Sequence, residues 1–155
     1  MTMLPITLTI AGAAALLNLW IASRVATLRR HHKVLIGDGG VPALAARMRA
    51  HGNFAEYAPL FLILLGLVEL ASGSPAWLWV VAILFIIGRI LHVFGMDRQS
   101  ANALRGIGIV LTLLTTLGLA LYAIAIPYLE RSRSPAITYA EASTWSPTNG
   151  FVPRS

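Results

Sequence analysis

Four apolar segments, each close to the length needed to cross a lipid bilayer, constrain this chain more than any other feature. A transmembrane helix needs about 20 consecutive apolar residues. The segments are Met3 to Ala22, Tyr57 to Ser72, Ala76 to Gly95 and Ile107 to Tyr128. Proline, glycine and charge signals then place the helices at about Pro5 to Thr27, Val41 or Pro42 to Ala71, Pro75 to Gly95 or Met96, and from Ala101 onward. The sequence therefore predicts an all-α integral membrane protein, with a bundle of four transmembrane helices over residues 1–130.

The composition agrees with this prediction. Of the 155 residues, 57% are hydrophobic and 12% are charged, about half the charged fraction of a soluble domain. The first segment has neither a basic stretch before it nor a small-residue cleavage site after it, so we expect a membrane helix and not a signal peptide. Residues 131–155 are rich in Ser, Thr, Pro and Gly and are predicted to form a polar flexible tail. Its last four residues, VPRS, resemble part of a protease-cleavage tag.

The placement of the basic residues predicts the orientation in the membrane. The net charge of +6 would suggest nucleic acid as the partner of a soluble protein. Here nine of the twelve basic residues lie in or next to the first and third connections, and the second connection, ASGSPA, has none. By the positive-inside rule the first and third connections are cytoplasmic and both termini lie on the opposite side. We expect no nucleic-acid partner. The chain has no cysteine, which excludes disulfides and thiolate metal sites, and no metal is expected.

A polar stripe marks the start of the second predicted helix. Arg49, Asn53 and Glu56 are spaced i, i+4 and i+7 and share one face, with Tyr57 beside them. Pro59 follows and is expected to bend the helix. Polar and charged side chains at the mouth of a membrane helix are costly unless they face protein or a ligand, so the stripe predicts a functional site.

Two arginines in the later helices allow more than one interpretation. Arg89 lies three residues before His92, near the end of the third helix. It either extends to the nearby interface or forms a buried pair with Glu56, and we favour the pair. Arg105, in the first turns of the fourth helix, is either a topology signal or a site for an anionic ligand.

The first helix and the connection after it carry further polar candidates. Arg29 and Arg30 suit anionic lipid head groups and a carboxylate ligand equally well. Asn18 is a single amide in an apolar segment, and we expect it to hydrogen-bond to a neighbouring helix and not to a ligand.

The stripe also resembles a family signature. The segment RAHGNFAEYAP, from Arg49 to Pro59, is similar to the R-A-x-x-N-x-x-E-x-x-P signature of MAPEG, the membrane-associated proteins in eicosanoid and glutathione metabolism. The pair of Arg89 and His92 late in the third helix, and Arg105 at the family's spacing, extend the resemblance. It covers about residues 24–126.

The resemblance implies a homotrimer with glutathione sites between neighbouring subunits, open toward the cytoplasm. It assigns Arg105 the catalytic role of stabilising the glutathione thiolate. The residues implied in glutathione binding are Arg29, Arg30, Arg49, His51, Asn53, Glu56, Tyr57, Arg89 and His92. The implied second substrate is a lipophilic electrophile that arrives from the bilayer.

Two positions depart from the mammalian members of the family. Met96 stands where several members have a tyrosine, and Gly106 stands where the prostaglandin synthase has a serine. Assistance by a hydroxyl group at the sulfur is therefore not expected here. The implied function is a detoxifying glutathione transferase, with glutathione-dependent peroxidase activity as a related reaction. The alternative is a non-catalytic membrane protein of the same fold that binds glutathione or lipid. A small multidrug transporter is less favoured because Glu56 and Glu69 lie near opposite helix ends and not at the midplane.

Overall fold

The chain folds into four long helices. The computed structural model describes residues 3–98, 100 and 102–131, apart from the side chains of 130 and 131. The helices are α1 (Pro5–His32), α2 (Pro42–Ser72), α3 (Ala76–Asp97) and α4 (Ala103–Arg131). Each is long and apolar enough to cross a membrane. The predicted four-helix membrane bundle is confirmed, and the predicted tail from residue 132 onward lies outside the described residues.

The first helix extends beyond its predicted end. We expected α1 to stop near Thr27, but it continues to His32. All four residues of its last turn are arginine or histidine, and positive charge there is favoured by the helix dipole. Lys33 caps the end of the helix, and its left-handed backbone (φ 54°) directs its N–H to the carbonyl of Arg30.

The other helix limits lie close to those expected. Val41 and Pro42 begin α2 as the N-cap and first residue, and the helix continues through Pro59 to Ser72. At 31 residues α2 is about 47 Å long, against a hydrocarbon thickness of about 30 Å, so part of it must extend beyond the bilayer core. Gly73, with φ of 73°, makes the turn into α3.

One end of the bundle is basic and is joined by ion pairs. Because the helices alternate in direction, the ends of α1 and α3 meet the starts of α2 and α4 there. Asp97 of α3 pairs with Arg24 of α1, and its other oxygen lies 3.5 Å from Nε of Arg47 on α2. The Arg24 guanidinium also lies 4.8 Å from the ring centre of Trp20. We call this the basic end.

Most of the buried side chains are apolar, and α4 approaches α3 through glycines. Between α2 and α3 the rings of Phe61 and Phe85 stack with centres 3.8 Å apart. A side chain at Gly88 would meet the carbonyl oxygen of Gly108 at 3.2 Å, and one at Gly95 would collide with the backbone of Arg105. Small residues at a membrane helix crossing allow this close approach.

Contacts divide the chain into two compact units, the first ending at Ala123; the described part of the second is residues 124–131 of α4.

Candidate functional site

Arg89 is the centre of a polar cluster in which three helices meet. Its side chain is 1% exposed. One terminal nitrogen, Nη2, donates to Oδ1 of Asn53 on α2 at 2.8 Å, and the other, Nη1, lies 3.4 Å from Oγ1 of Thr112 on α4. Arg89 therefore links α2, α3 and α4 by hydrogen bonds.

The predicted pair between Arg89 and Glu56 is not formed, and that prediction was wrong. Glu56 is exposed, and Arg89 bonds to Asn53 instead. Successive residues are turned by about 100° around a helix, so Glu56 lies about 60° from Asn53 on the side opposite to Tyr57. Arg89 packs on the Tyr57 side. The two residues were predicted to pair from their similar depth, which ignores this rotation.

The surroundings of Arg89 are aromatic and contain a small cavity. Its guanidinium carbon lies 5.7 Å from the ring centre of Phe54 and 5.8 Å from that of Tyr57, within reach of cation–π attraction. Beside it is a cavity of about 120 Å³. The cavity is lined by Asn53, Tyr57, Arg89, Ile109, Thr112 and Leu113.

Two buried polar atoms at this junction have no hydrogen-bond partner within the described part of the chain. They are Nε of Arg89 and Nδ1 of His92, which lie one turn apart on α3. His92 is 3% exposed and lies against the start of α4, where Gly108 leaves room for its backbone. A buried donor or acceptor left unpaired costs about 1–3 kcal/mol. Such atoms favour a site that pairs them with a ligand.

Arg105 is fixed at the start of α4 by a cap that the sequence analysis missed. The Oδ1 atom of Asn102 accepts the N–H of Arg105 at 3.1 Å. This is the bond that an N-cap side chain accepts from the backbone three residues later in the helix. The same Asn102 donates from Nδ2 to the carbonyl of Gly95 at 2.8 Å, which joins the end of α3 to the start of α4. The backbone of Arg105 is thus held against α3, while its side chain is exposed.

The residues predicted on α1 and the first connection make other contacts. Arg29 donates to the carbonyl of Leu35 at 3.1 Å and to the sulfur of Met48 at 3.3 Å, so it braces the turn after α1. Arg30 is exposed. The Nε2 atom of His51 lies 3.1 Å from Oδ1 of Asn18. The prediction that Asn18 bonds to a neighbouring helix is confirmed.

The structure brings together only part of the predicted site. Asn53, Tyr57 and Arg89 lie at the junction of α2, α3 and α4, and His92, one turn further along α3, lies against the first turns of α4. Arg49 and Glu56 are exposed on α2, and neither takes part in a hydrogen bond or ion pair within the described residues. His51 and Arg29 are engaged with α1, α2 and the loop between them.

Sequence reasoning missed two residues that build this junction, Thr112 and Asn102. Thr112 lies within an apolar segment and has no local signal that marks it, because its contact with Arg89 is a tertiary one. Asn102 had a usable signal, since asparagine just before an apolar periodic segment is a preferred helix N-cap. Within the described residues, no group of three or more His, Asp or Glu side chains could hold a metal ion.

Comparison with known proteins decides the family. The sequence model of the MAPEG family matches residues 7–125 of the chain. This chain belongs to the MAPEG family. It is also 32% identical over 90 residues to inner membrane protein YecN of Escherichia coli strain K12, an alignment that covers 57% of this chain and 68% of the relative. YecN of Escherichia coli O6:H1 strain CFT073 matches to the same extent.

The match to MAPEG covers all the residues of the site described above, from Asn53 to Thr112. Together with the four apolar helices, it identifies a multi-pass membrane protein. The name of the Escherichia coli relative states a location in the inner membrane and no activity.

Proposed function

We propose that this MAPEG protein is a membrane-bound glutathione transferase. It activates glutathione as a thiolate for conjugation to, or reduction of, lipophilic electrophiles. The observation that carries the proposal is the buried cluster of Arg89, His92 and Asn53 beside the capped start of α4. The cluster contains no carboxylate, and two of its buried polar atoms lack partners among the described residues. A cationic, donor-rich cluster of this kind suits an anionic peptide ligand.

The charges around the cluster match those of glutathione. Glutathione carries two carboxylates and one ammonium group. Arg49 and Arg105 supply cations for the carboxylates and the thiolate, Glu56 supplies an anion for the ammonium, and the buried guanidinium of Arg89 adds positive charge behind Asn53. Arg29, Arg30 and His51 are proposed as further contacts, in keeping with the family resemblance.

The chemical step depends on the charge of the sulfur. A free thiol has a pKa of about 8.5 and is mostly protonated at neutral pH, but only the thiolate is a good nucleophile. A guanidinium held near the sulfur favours the charged form. Arg105 is proposed for this role because its backbone is fixed by Asn102 while its side chain remains exposed at the start of α4. The thiol proton passes to solvent, and the thiolate attacks the electrophilic carbon of the second substrate; a carbon–sulfur bond forms while the leaving group, such as the halide of an aryl halide, departs with the bonding electrons. In the reductive reaction a peroxide is reduced to an alcohol and water while two glutathione molecules are oxidised to their disulfide.

The exposed charges on α2 favour a site shared between subunits. Arg49 and Glu56 lie on a membrane-spanning helix, are exposed, and are unpaired within the described part of one chain. Charged groups in this position are costly unless protein or water covers them. We propose that neighbouring copies in a homotrimer cover them and complete the glutathione site.

The proposed site opens toward the cytoplasm. It lies nearer the basic end of the bundle than the opposite end, and the positive-inside rule assigns such an end to the cytoplasm. The second substrate would reach the sulfur from the bilayer, where lipophilic electrophiles concentrate. Both chain termini are then proposed to lie on the opposite side.

The experiment is a turnover assay on the detergent-purified protein with glutathione and a lipophilic aryl halide. We expect saturable conjugation that is lost in Arg105→Ala, while glutathione still raises the unfolding temperature of that variant. The matched control is Arg98→Ala, because Arg98 is also an exposed arginine but lies in the third connection, outside α4. Equal turnover in the wild type and Arg105→Ala would remove Arg105 from the mechanism.

A second candidate function is favoured by the hydrogen bonds from Arg89 to Asn53 and Thr112. This network joins three helices through protein groups. In a non-catalytic protein of the same fold that binds glutathione or lipid, the only role of the network would be to hold the three helices together. The two candidates differ in turnover: the non-catalytic protein gives no conjugate, with or without a thermal shift by glutathione.

A further inference from the structure

The side-chain amide of Asn53 has two chemically different ends, and Arg89 decides which way it faces. A guanidinium group carries hydrogen-bond donors only. Nη2 of Arg89 lies 2.8 Å from the Asn53 side chain. The amide nitrogen in that position would place two donors against each other. The oxygen of Asn53 must therefore face Arg89, a conclusion that follows from chemistry alone.

The guanidinium that sets this orientation is itself held in place. The hydroxyl of Thr112 donates to the carbonyl of Gly108 at 2.8 Å, which leaves its lone pairs free to accept from Arg89. The rings of Phe54 and Tyr57 lie on the same guanidinium. With its side chain 1% exposed, Arg89 has little freedom to turn away from Asn53.

The nitrogen end of the Asn53 amide stays available. No described residue accepts a hydrogen bond from its Nδ2, and Asn53 is only half-buried. Nε of Arg89 and Nδ1 of His92 are buried and have no hydrogen-bond partner among the described residues. Nδ2 of Asn53 is not a buried atom of this kind. Asn53 also lines the small cavity with Tyr57.

We propose that Arg89 is a positioning residue, which holds the Asn53 amide so that its NH₂ group faces the ligand. Only an acceptor fits this NH₂ group, and in glutathione that is a carboxylate, a peptide carbonyl or the thiolate. An ammonium or an amide N–H is rejected there. The inference rests on the proposed glutathione site. Asn53 touches the ligand in this arrangement, and Arg89 acts through Asn53.

The test replaces Arg89 with residues that differ in their donors. Arg89→Lys keeps a side chain with donors only, so the amide stays oriented, and the glutathione dissociation constant should remain within about threefold of the wild type. Arg89→Met is unbranched and of similar length but has no donor, so the amide is free to turn. Its affinity for glutathione should fall about tenfold, the loss expected for one hydrogen bond to a charged group.

A double variant separates positioning from a merely structural role. Asn53→Ala should weaken binding about tenfold, as Arg89→Met does, and combining the two should add little further loss. Losses that multiply to about a hundredfold would overturn the proposal. So would an Arg89→Met protein that unfolds at a lower temperature but binds glutathione like the wild type, because that is the signature of a structural contact.

A measurement without glutathione makes the test independent of the proposed function. In protein labelled with ¹⁵N-asparagine, the side-chain signal of Asn53 is assigned by its loss in Asn53→Ala. We expect this signal to shift in Arg89→Met and to shift much less in Arg89→Lys. An unchanged signal in Arg89→Met overturns the orienting role. If the wild type binds no glutathione, the proposed function fails, and the glutathione part of this inference fails with it, whatever the amide signal shows.

Discussion

Glu69, near the end of α2, caps the start of α1 through Thr7. Its carboxylate accepts the backbone N–H of Thr7 at 2.8 Å and the Thr7 hydroxyl at 2.7 Å. The other oxygen accepts the N–H of Ile6 and the hydroxyl of Ser74. A carboxylate is the group best suited to the free N–H groups and the positive dipole at a helix N-terminus. This buried acid is therefore structural, and it lies at the opposite end of α2 from the candidate site.

Glu69→Gln should destabilise the protein. The neutral amide has one acceptor oxygen in place of two, so part of the cap of α1 is lost, at a cost of about 1–3 kcal/mol. The midpoint of thermal unfolding in detergent measures this. Glutathione affinity of the folded variant should be unchanged. Thr9→Val is the control, because the Thr9 hydroxyl is exposed and bonds only within its own helix. A Glu69→Gln variant as stable as the wild type would show that the cap contributes little.

Gly95→Ala should displace the start of α4. A methyl group at Gly95 collides with the backbone of Arg105, which we expect to cost about 1–3 kcal/mol. Because Arg105 moves with that backbone, conjugation turnover should also fall. Gly106→Ala is a matched control beside the same arginine, since no heavy atom lies within 4 Å of the added carbon. It should be neutral or slightly stabilising. Equal effects of the two variants would contradict the proposed close contact.

Asp97→Asn should have only a modest effect. The variant loses the charge that pairs with Arg24 and Arg47, but these side chains are 16–30% exposed. Partly exposed ion pairs contribute about 1 kcal/mol and weaken in salt. We expect a small decrease in the unfolding temperature at low salt that nearly disappears at high salt. A large decrease independent of salt would indicate a buried ion pair instead.

The sequence predicted the helices because their signals are local. Segment length and the prolines at helix starts depend only on neighbouring residues. The bond of Asn18 to another helix was predicted from the cost of an unpaired amide in an apolar segment. Its partner, His51, was not predicted as such, because the relative rotation of two helices is a tertiary property.

The same limit explains the wrong partner for Arg89. The sequence gives the depth of a residue along a helix, and Arg89 and Glu56 lie at similar depths. It does not give the direction in which the helices face one another, and that direction selects Asn53. The cap formed by Glu69 was missed for a related reason, since its partners on α1 lie more than 60 residues away.

The most direct test of the central claim is the ultraviolet difference spectrum of thiolate formation, recorded as glutathione is added to the purified protein at neutral pH. The account predicts a saturable thiolate signal in the wild type and in Arg98→Ala, and none in Arg105→Ala, which should still bind glutathione. A signal of full size in Arg105→Ala, or no signal in a wild-type protein that binds glutathione, would contradict it.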